Sequence, residues 1–129
     1  MATKSGISFV VLYVSDINAS KEFYEKLGFE VKQSEEGYVE FATSGVPLAL
    51  MSMDAATDLT GQRPKSGDAP RFSLSLGEVP DIDKTYQELK STGVRFLKEP
   101  VTQDWGQRTA HFMDPDGNLW EVFTWVKKD

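Results

Sequence analysis

The sequence contains no cysteine and a single histidine, His111. The first absence excludes a disulfide framework, thiolate metal sites and a cysteine nucleophile, and it suits a reducing compartment. The second means that any imidazole chemistry, whether general base, proton shuttle or ligand, falls to His111. No apolar run approaches the ~20 residues that span a bilayer. The opening MATKSGISFVV carries one lysine and then an alternating stretch, without the apolar core or cleavage signal of a leader, so a cytoplasmic protein is expected. Basic charge is also scarce: 14 Lys and Arg stand against 20 Asp and Glu, a net charge of −6. That balance repels polyanions and gives no counterion-release drive. Neither nucleic acid nor membrane is an expected partner. The sequence has no phosphate-cradling glycine loop, nucleophile elbow or kinase motif.

The composition that remains, 40% hydrophobic and 26% charged over 129 residues, is that of a folding chain, with one domain over 1–129 or two half-domains sharing a core. The main feature is an internal repeat. Phe9 to Leu27 superposes on Arg71 to Leu89 at a constant offset, which aligns Val10 with Phe72, Leu12 with Leu74, Val14 with Leu76 and Tyr24 with Tyr86. Extra residues then lengthen the second helix, and Gly28-Phe29 falls on Gly93-Val94.

Each copy opens with period-two alternation, over 7–14 and 71–76, which predicts a half-buried strand. After Asp16 and Asp81 the spacing turns helical, with Asp or Ser available as N-caps and Gly28 and Gly93 placed for left-handed C-terminal caps. Strands are expected at 30–33, 38–42 and 47–53 in the first copy. In the second they are expected at 95–98, 108–113 and 119–125, the last two joined by the turn former Asp114-Pro115-Asp116-Gly117. The result is βαβββ twice, over 7–53 and 71–126. Residues 54–70 read as an aperiodic linker.

Parity assigns the faces. Val10, Leu12 and Val14, like Phe72, Leu74 and Leu76, form the helix-facing set, because only that parity is apolar in both copies. The opposite face carries Phe9, Val11, Tyr13, Tyr38, Glu40, Ala49 and Met51 in the first copy. In the second it carries Arg71, Ser73, Ser75, Thr109, His111 and Glu121. The polar set is either plain solvent exposure or the floor of a wet cavity built from both copies. Met51 and Met53 read as pliable wall residues.

At this point the chain resembles the vicinal-oxygen-chelate superfamily of glyoxalases, bleomycin-resistance proteins and extradiol dioxygenases. The resemblance rests on Leu12-x-Val14-x-Asp16 running into Ser20-x-x-Phe23-Tyr24-x-x-Leu27-Gly28-Phe29, on Trp105-Gly106, and on Asp114-Pro115-Asp116-Gly117-Asn118-Leu119-Trp120-Glu121. It implies an α+β fold, two βαβββ modules forming a curved, open, barrel-like mixed sheet, often assembled as a homodimer. Family metalloenzymes hold a divalent metal from four slots. Here those slots fall on Phe9, about Ala49, Arg71 and Glu121, and only Glu121 keeps a ligand, so no cofactor is expected.

The resemblance leaves several roles open. Glu121 and Arg71 either neutralise one another or leave Arg71 to bind a carboxylate or phosphate. His111 is either a structural residue or, with Glu121, an acid–base pair, and a displaced metal site from His111, Glu121 and Glu40 is the alternative to metal independence. Trp105 either stacks on a flat ligand or plugs the core. The first expectation is metal-independent sequestration of a small, aromatic or cationic molecule. The second is a lyase, isomerase or dioxygenase with a non-standard site, and the third an interaction module.

Overall fold

The computed structural model describes residues 6–65 and 73–126. The chain divides into two compact units, residues 1–66 and 67–129.

In the first unit, β1 (Val10–Val14) leads into α1 (Ile17–Lys26), β2 (Glu30–Glu35), β3 (Tyr38–Ala42) and β4 (Leu48–Ser52). The strands lie in the order β1-β4-β3-β2, with β1 and β4 parallel and the other pairs antiparallel. Asp16 caps α1, its Oδ1 accepting from the Ala19 amide at 3.1 Å. Gly28, at φ 105°, takes the left-handed turn that releases the chain. The helix seats itself through Tyr24, fully buried, whose ring meets Phe29 and Phe41 at 5.8 Å each. Leu12, Val14, Val39 and Leu50 complete this core, in the parity expected of it.

The aperiodic reading of the linker is overturned at its start. Met53–Thr60 forms a helix, α2. Ser52 caps it, its Oγ accepting from the Ala55 amide at 3.1 Å, while Asp54 sits in the first turn and Gly61, at φ 82°, closes it. Ala56 is fully buried. The tip of the β2–β3 hairpin leans on this cap: the Gly37 carbonyl accepts from the Ser52 amide at 3.0 Å. A Cβ on Gly37, whose φ is +77°, would sit 3.1 Å from Ser52 Oγ.

The second unit repeats the path. β5 (Ser73–Glu78) and α3 (Ile82–Ser91) precede β6 (Arg95–Phe96), β7 (Val101–Thr102), β8 (Gln107–Met113) and β9 (Leu119–Trp125). The order is β5-β9-β8-β6, with β5 and β9 parallel and β7 also pairing with β8. Two expectations fail here. The strand between β6 and β8 was missed because two exposed residues show no alternation. The second helix is also no longer than the first: α1 and α3 both have 10 residues. The extra residues fall instead where β5 bulges between Ser75 and Gly77 and runs to the Asp81 cap. A shift of three residues is nearly one helical turn, so the apolar faces of the helices superpose in either register, and the sequence comparison chose the wrong one.

Arg108 ties β8 to the start of α3: its Nε and Nη2 donate to Asp83 at 3.1 and 3.0 Å, and its Nη1 donates to Thr102 Oγ1 at 3.1 Å. The β8–β9 turn is held by Asp114, only 1% exposed. One of its oxygens accepts from the amides of Asp116 and Asn118 at 3.0 and 2.8 Å, and the other from Asn118 Nδ2 at 2.8 Å.

Candidate functional site

Period-two alternation presents one face of each sheet to its helix and turns the other face away from it. In the first unit that other face is apolar at one edge and acidic at the other. Phe9, Val11 and Tyr13 are exposed. Within the sheet, Val11 lies opposite Ala49 and Tyr13 opposite Met51, and β3 continues these rows with Glu40 and Tyr38. Tyr38 Oη donates to Glu40 Oε1 at 3.4 Å, and Lys32 Nζ lies 3.5 Å from the other Glu40 oxygen. Burial, aided by the Glu40 carboxylate, pushes the Tyr38 phenol above its ordinary range. Ala49, expected to line a cavity, is completely buried among its neighbours.

In the second unit the equivalent face holds an ionisable pair. His111 and Glu121 occupy directly opposed positions of β8 and β9, and His111 Nε2 lies 3.0 Å from Glu121 Oε2. Both side chains are partly exposed, at 31% and 27%, so the pair is held in place yet open to a ligand. Ser75 stands opposite Glu121 on its other side, with its hydroxyl accepting from the Gly77 amide at 3.0 Å within the bulge. Ser73, exposed, begins the same strand.

Two residue pairs further along, on the same face, Thr109 is opposite Phe123, and two beyond them Gln107 is opposite Trp125. The Phe123 and Trp125 rings meet edge to face at 5.7 Å. Thr109 is buried rather than open, its hydroxyl accepting from Gln103 Nε2 at 3.0 Å. Trp105 does not plug the core. It is 58% exposed, and its indole N–H donates to Gln107 Oε1 at 2.8 Å. Gly106, at φ 96°, makes the turn that projects it. The face therefore grades from an acid–base pair into aromatic surface supplied by Phe123, Trp125 and Trp105. Gln103 and Gln107 were not singled out from the sequence. Gln107 was recoverable, since it shares the parity of Thr109 and His111.

The ion pair expected between Glu121 and Arg71 falls outside the described residues, because Arg71 is not among them. Glu121 is engaged by His111. The family's metal does not fit this donor set: Phe9 and Ala49 have no lone pair to offer, a guanidinium at Arg71 cannot ligate a cation, and one carboxylate does not hold a catalytic ion. Among the described residues no three His, Asp or Glu side chains come together as a ligand group. Glu40, the third member of the displaced site considered above, is bonded to Tyr38 and paired with Lys32.

Comparison with known proteins agrees with this architecture. The sequence model of the Glyoxalase/Bleomycin resistance protein/Dioxygenase superfamily matches residues 6–122. An uncharacterized Bacillus subtilis protein, YraH, is 35% identical over 118 residues, covering 87% of this chain and 92% of its own. A bleomycin resistance protein of Geobacillus stearothermophilus is 33% identical over 132 residues, covering 93% and 97%. Among solved structures, a glyoxalase/bleomycin resistance protein/dioxygenase from Nocardioides superposes with a TM-score of 0.84 at 27% identity, over 100% of this chain and 89% of that one.

Proposed function

The chain belongs to the glyoxalase/bleomycin resistance protein/dioxygenase superfamily, and from that premise we propose that it binds a small aromatic cation without a metal and sequesters it. The observation that carries this reading is the His111–Glu121 pair at 3.0 Å, bordered by the exposed rings of Trp105 and Trp125. An aromatic group stacks on the indoles while its cationic end meets the Glu121 carboxylate. His111 holds that carboxylate in position. The net charge of −6 favours the approach of a cation. The same chemistry supports binding of a bleomycin-class drug, after the relatives that bear that name. A second copy of the chain is the expected macromolecular partner, and sedimentation velocity reads it directly as a dimer or a monomer.

Two probes test the reading in chelator-treated protein: metal-free bleomycin and 1-naphthylmethylamine, followed through the indole N–H signals of Trp105 and Trp125. Saturable shifts that weaken in Trp105→Phe are expected. Flat signals with both probes reject it.

The distance between His111 and Glu121 also supports a second reading, an acid–base lyase or isomerase. A carboxylate on Nε2 orients the imidazole and leaves Nδ1 free to take a proton from a carbon beside a carbonyl. Incorporation of solvent deuterium into hydroxyacetone, abolished by His111→Ala, would favour this reading over sequestration.

A further inference from the structure

The second unit has a cavity that the sheet-face site does not use. It lies between the C-terminal half of α3 and the edge strand β6, is a hollow of about 520 Å³ open to solvent on one side, and is lined by Tyr86, Lys90, Arg95, Phe96, Leu97 and Met113 among others. That volume falls within the range that small-molecule sites occupy.

Its lining combines two features. The wall is apolar and aromatic: Tyr86 and Phe96 rings meet at 4.8 Å, and Leu97 is 55% exposed at the mouth. Both charged residues in it are cations. Lys90 Nζ lies 3.4 Å from Tyr86 Oη and 5.4 Å from the centre of that ring, so the ammonium of this exposed side chain is drawn toward the aromatic wall. Arg95 stands on β6 opposite Met113. Neither cation pairs with a carboxylate among the described residues, and no Asp or Glu lines the cavity. In a chain of net charge −6, two unneutralised cations around one apolar hollow leave a local demand for an anion. β6 ends its sheet. Because the Leu97 amide donates inward to the His111 carbonyl at 2.9 Å, ladder alternation turns the Phe96 N–H outward, away from β8.

We propose that this cavity binds small amphiphilic monoanions, with a flat or short apolar group against Tyr86, Phe96 and Leu97 and a carboxylate between Lys90 and Arg95. The site is separate from the sheet face and selects the opposite charge. It stands whether or not the sheet-face reading does.

The test is methyl and amide NMR of the full chain titrated with 1-naphthoate, its neutral counterpart 1-naphthalenemethanol, and acetate. The expected result is a saturable shift of the Val94, Leu97 and Met113 methyls by 1-naphthoate, with the alcohol binding about tenfold more weakly. Lys90→Met and Arg95→Met should each weaken 1-naphthoate about fivefold, as loss of one solvent-facing charge contact does, and leave the alcohol unchanged. Both positions are exposed, so the variants fold, and their thermal melts confirm it. Acetate should bind far more weakly than 1-naphthoate. Equal affinity for acid and alcohol, unchanged binding in both variants, shifts confined to the Trp105 and Trp125 indoles, or no saturable shift at millimolar 1-naphthoate would each overturn the proposal.

Discussion

His111 Nε2 sits 3.0 Å from Glu121 Oε2, from directly opposed positions of two antiparallel strands. The register fixes this pair: a slip of one residue would turn both side chains into the helix-side core, where Ala110, Phe112, Trp120 and Val122 are now buried. The pair is as firmly placed as the hydrophobic core itself, and it supplies the one pairing of a base with a carboxylate on this face of the second sheet among the described residues.

From this placement, Glu121→Gln should weaken 1-naphthylmethylamine about fivefold while leaving 1-naphthalenemethanol unchanged, since a partly exposed charge contact contributes about 1 kcal/mol. His111→Ala should have a smaller effect of the same sign, because it frees Glu121 rather than removing it. Titration calorimetry of both variants checks the order. An equal loss for amine and alcohol would assign Glu121 a packing role instead.

Asp114 should matter to stability rather than to binding. Its buried carboxylate accepts from the Asp116 and Asn118 amides and from Asn118 Nδ2 within the turn it spans, so Asp114→Ala should lower the free energy of unfolding by about 2–3 kcal/mol. Chemical denaturation measures this. Ligand affinity of the folded fraction should not change.

How much of this was legible in the sequence depended on how each element stabilises itself. β1 and β9 bury one side each, and β8 does so apart from Thr109, so alternation placed His111 and Glu121 on one face without any structure. α1 and α3 were marked by Asp16 and Asp81 at one end and Gly28 and Gly93 at the other. α2 was not legible from apolar spacing, because it buries chiefly a single alanine, Ala56. Its signal was the cap at Ser52 and the glycine at 61, which composition alone obscured. The depth of Thr109 and Ala49 was also hidden, because parity gives direction and neighbouring side chains decide burial. Asp114 was read as a turn former. That is correct as far as it goes, but its burial follows from packing that no local pattern records.

Tyr38 offers a check by pH. Burial and the nearby Glu40 carboxylate both oppose the phenolate, raising the folded-state pKa above that of the unfolded chain. The neutral phenol is thus favoured by folding. Its contribution is fully present below the unfolded tyrosine pKa and is lost as pH rises through the folded one. Ultraviolet titration should show a late-ionising tyrosine that disappears in Tyr38→Phe, and Glu40→Gln should move that transition to lower pH. A titration unchanged by either substitution would remove Glu40 from the account.

The central claim, ligand binding on the His111–Glu121 face without a metal, is tested most directly by titrating 1-naphthylmethylamine against the Trp105 and Trp125 indole signals, first in excess EDTA and then with added Zn²⁺, Ni²⁺ or Mn²⁺. The predicted result is one saturable shift whose midpoint is the same in chelator and in each metal, and which weakens in Glu121→Gln. The contradicting result is a shift that appears only on adding metal and vanishes in His111→Ala, which would place an ion on the same pair of side chains.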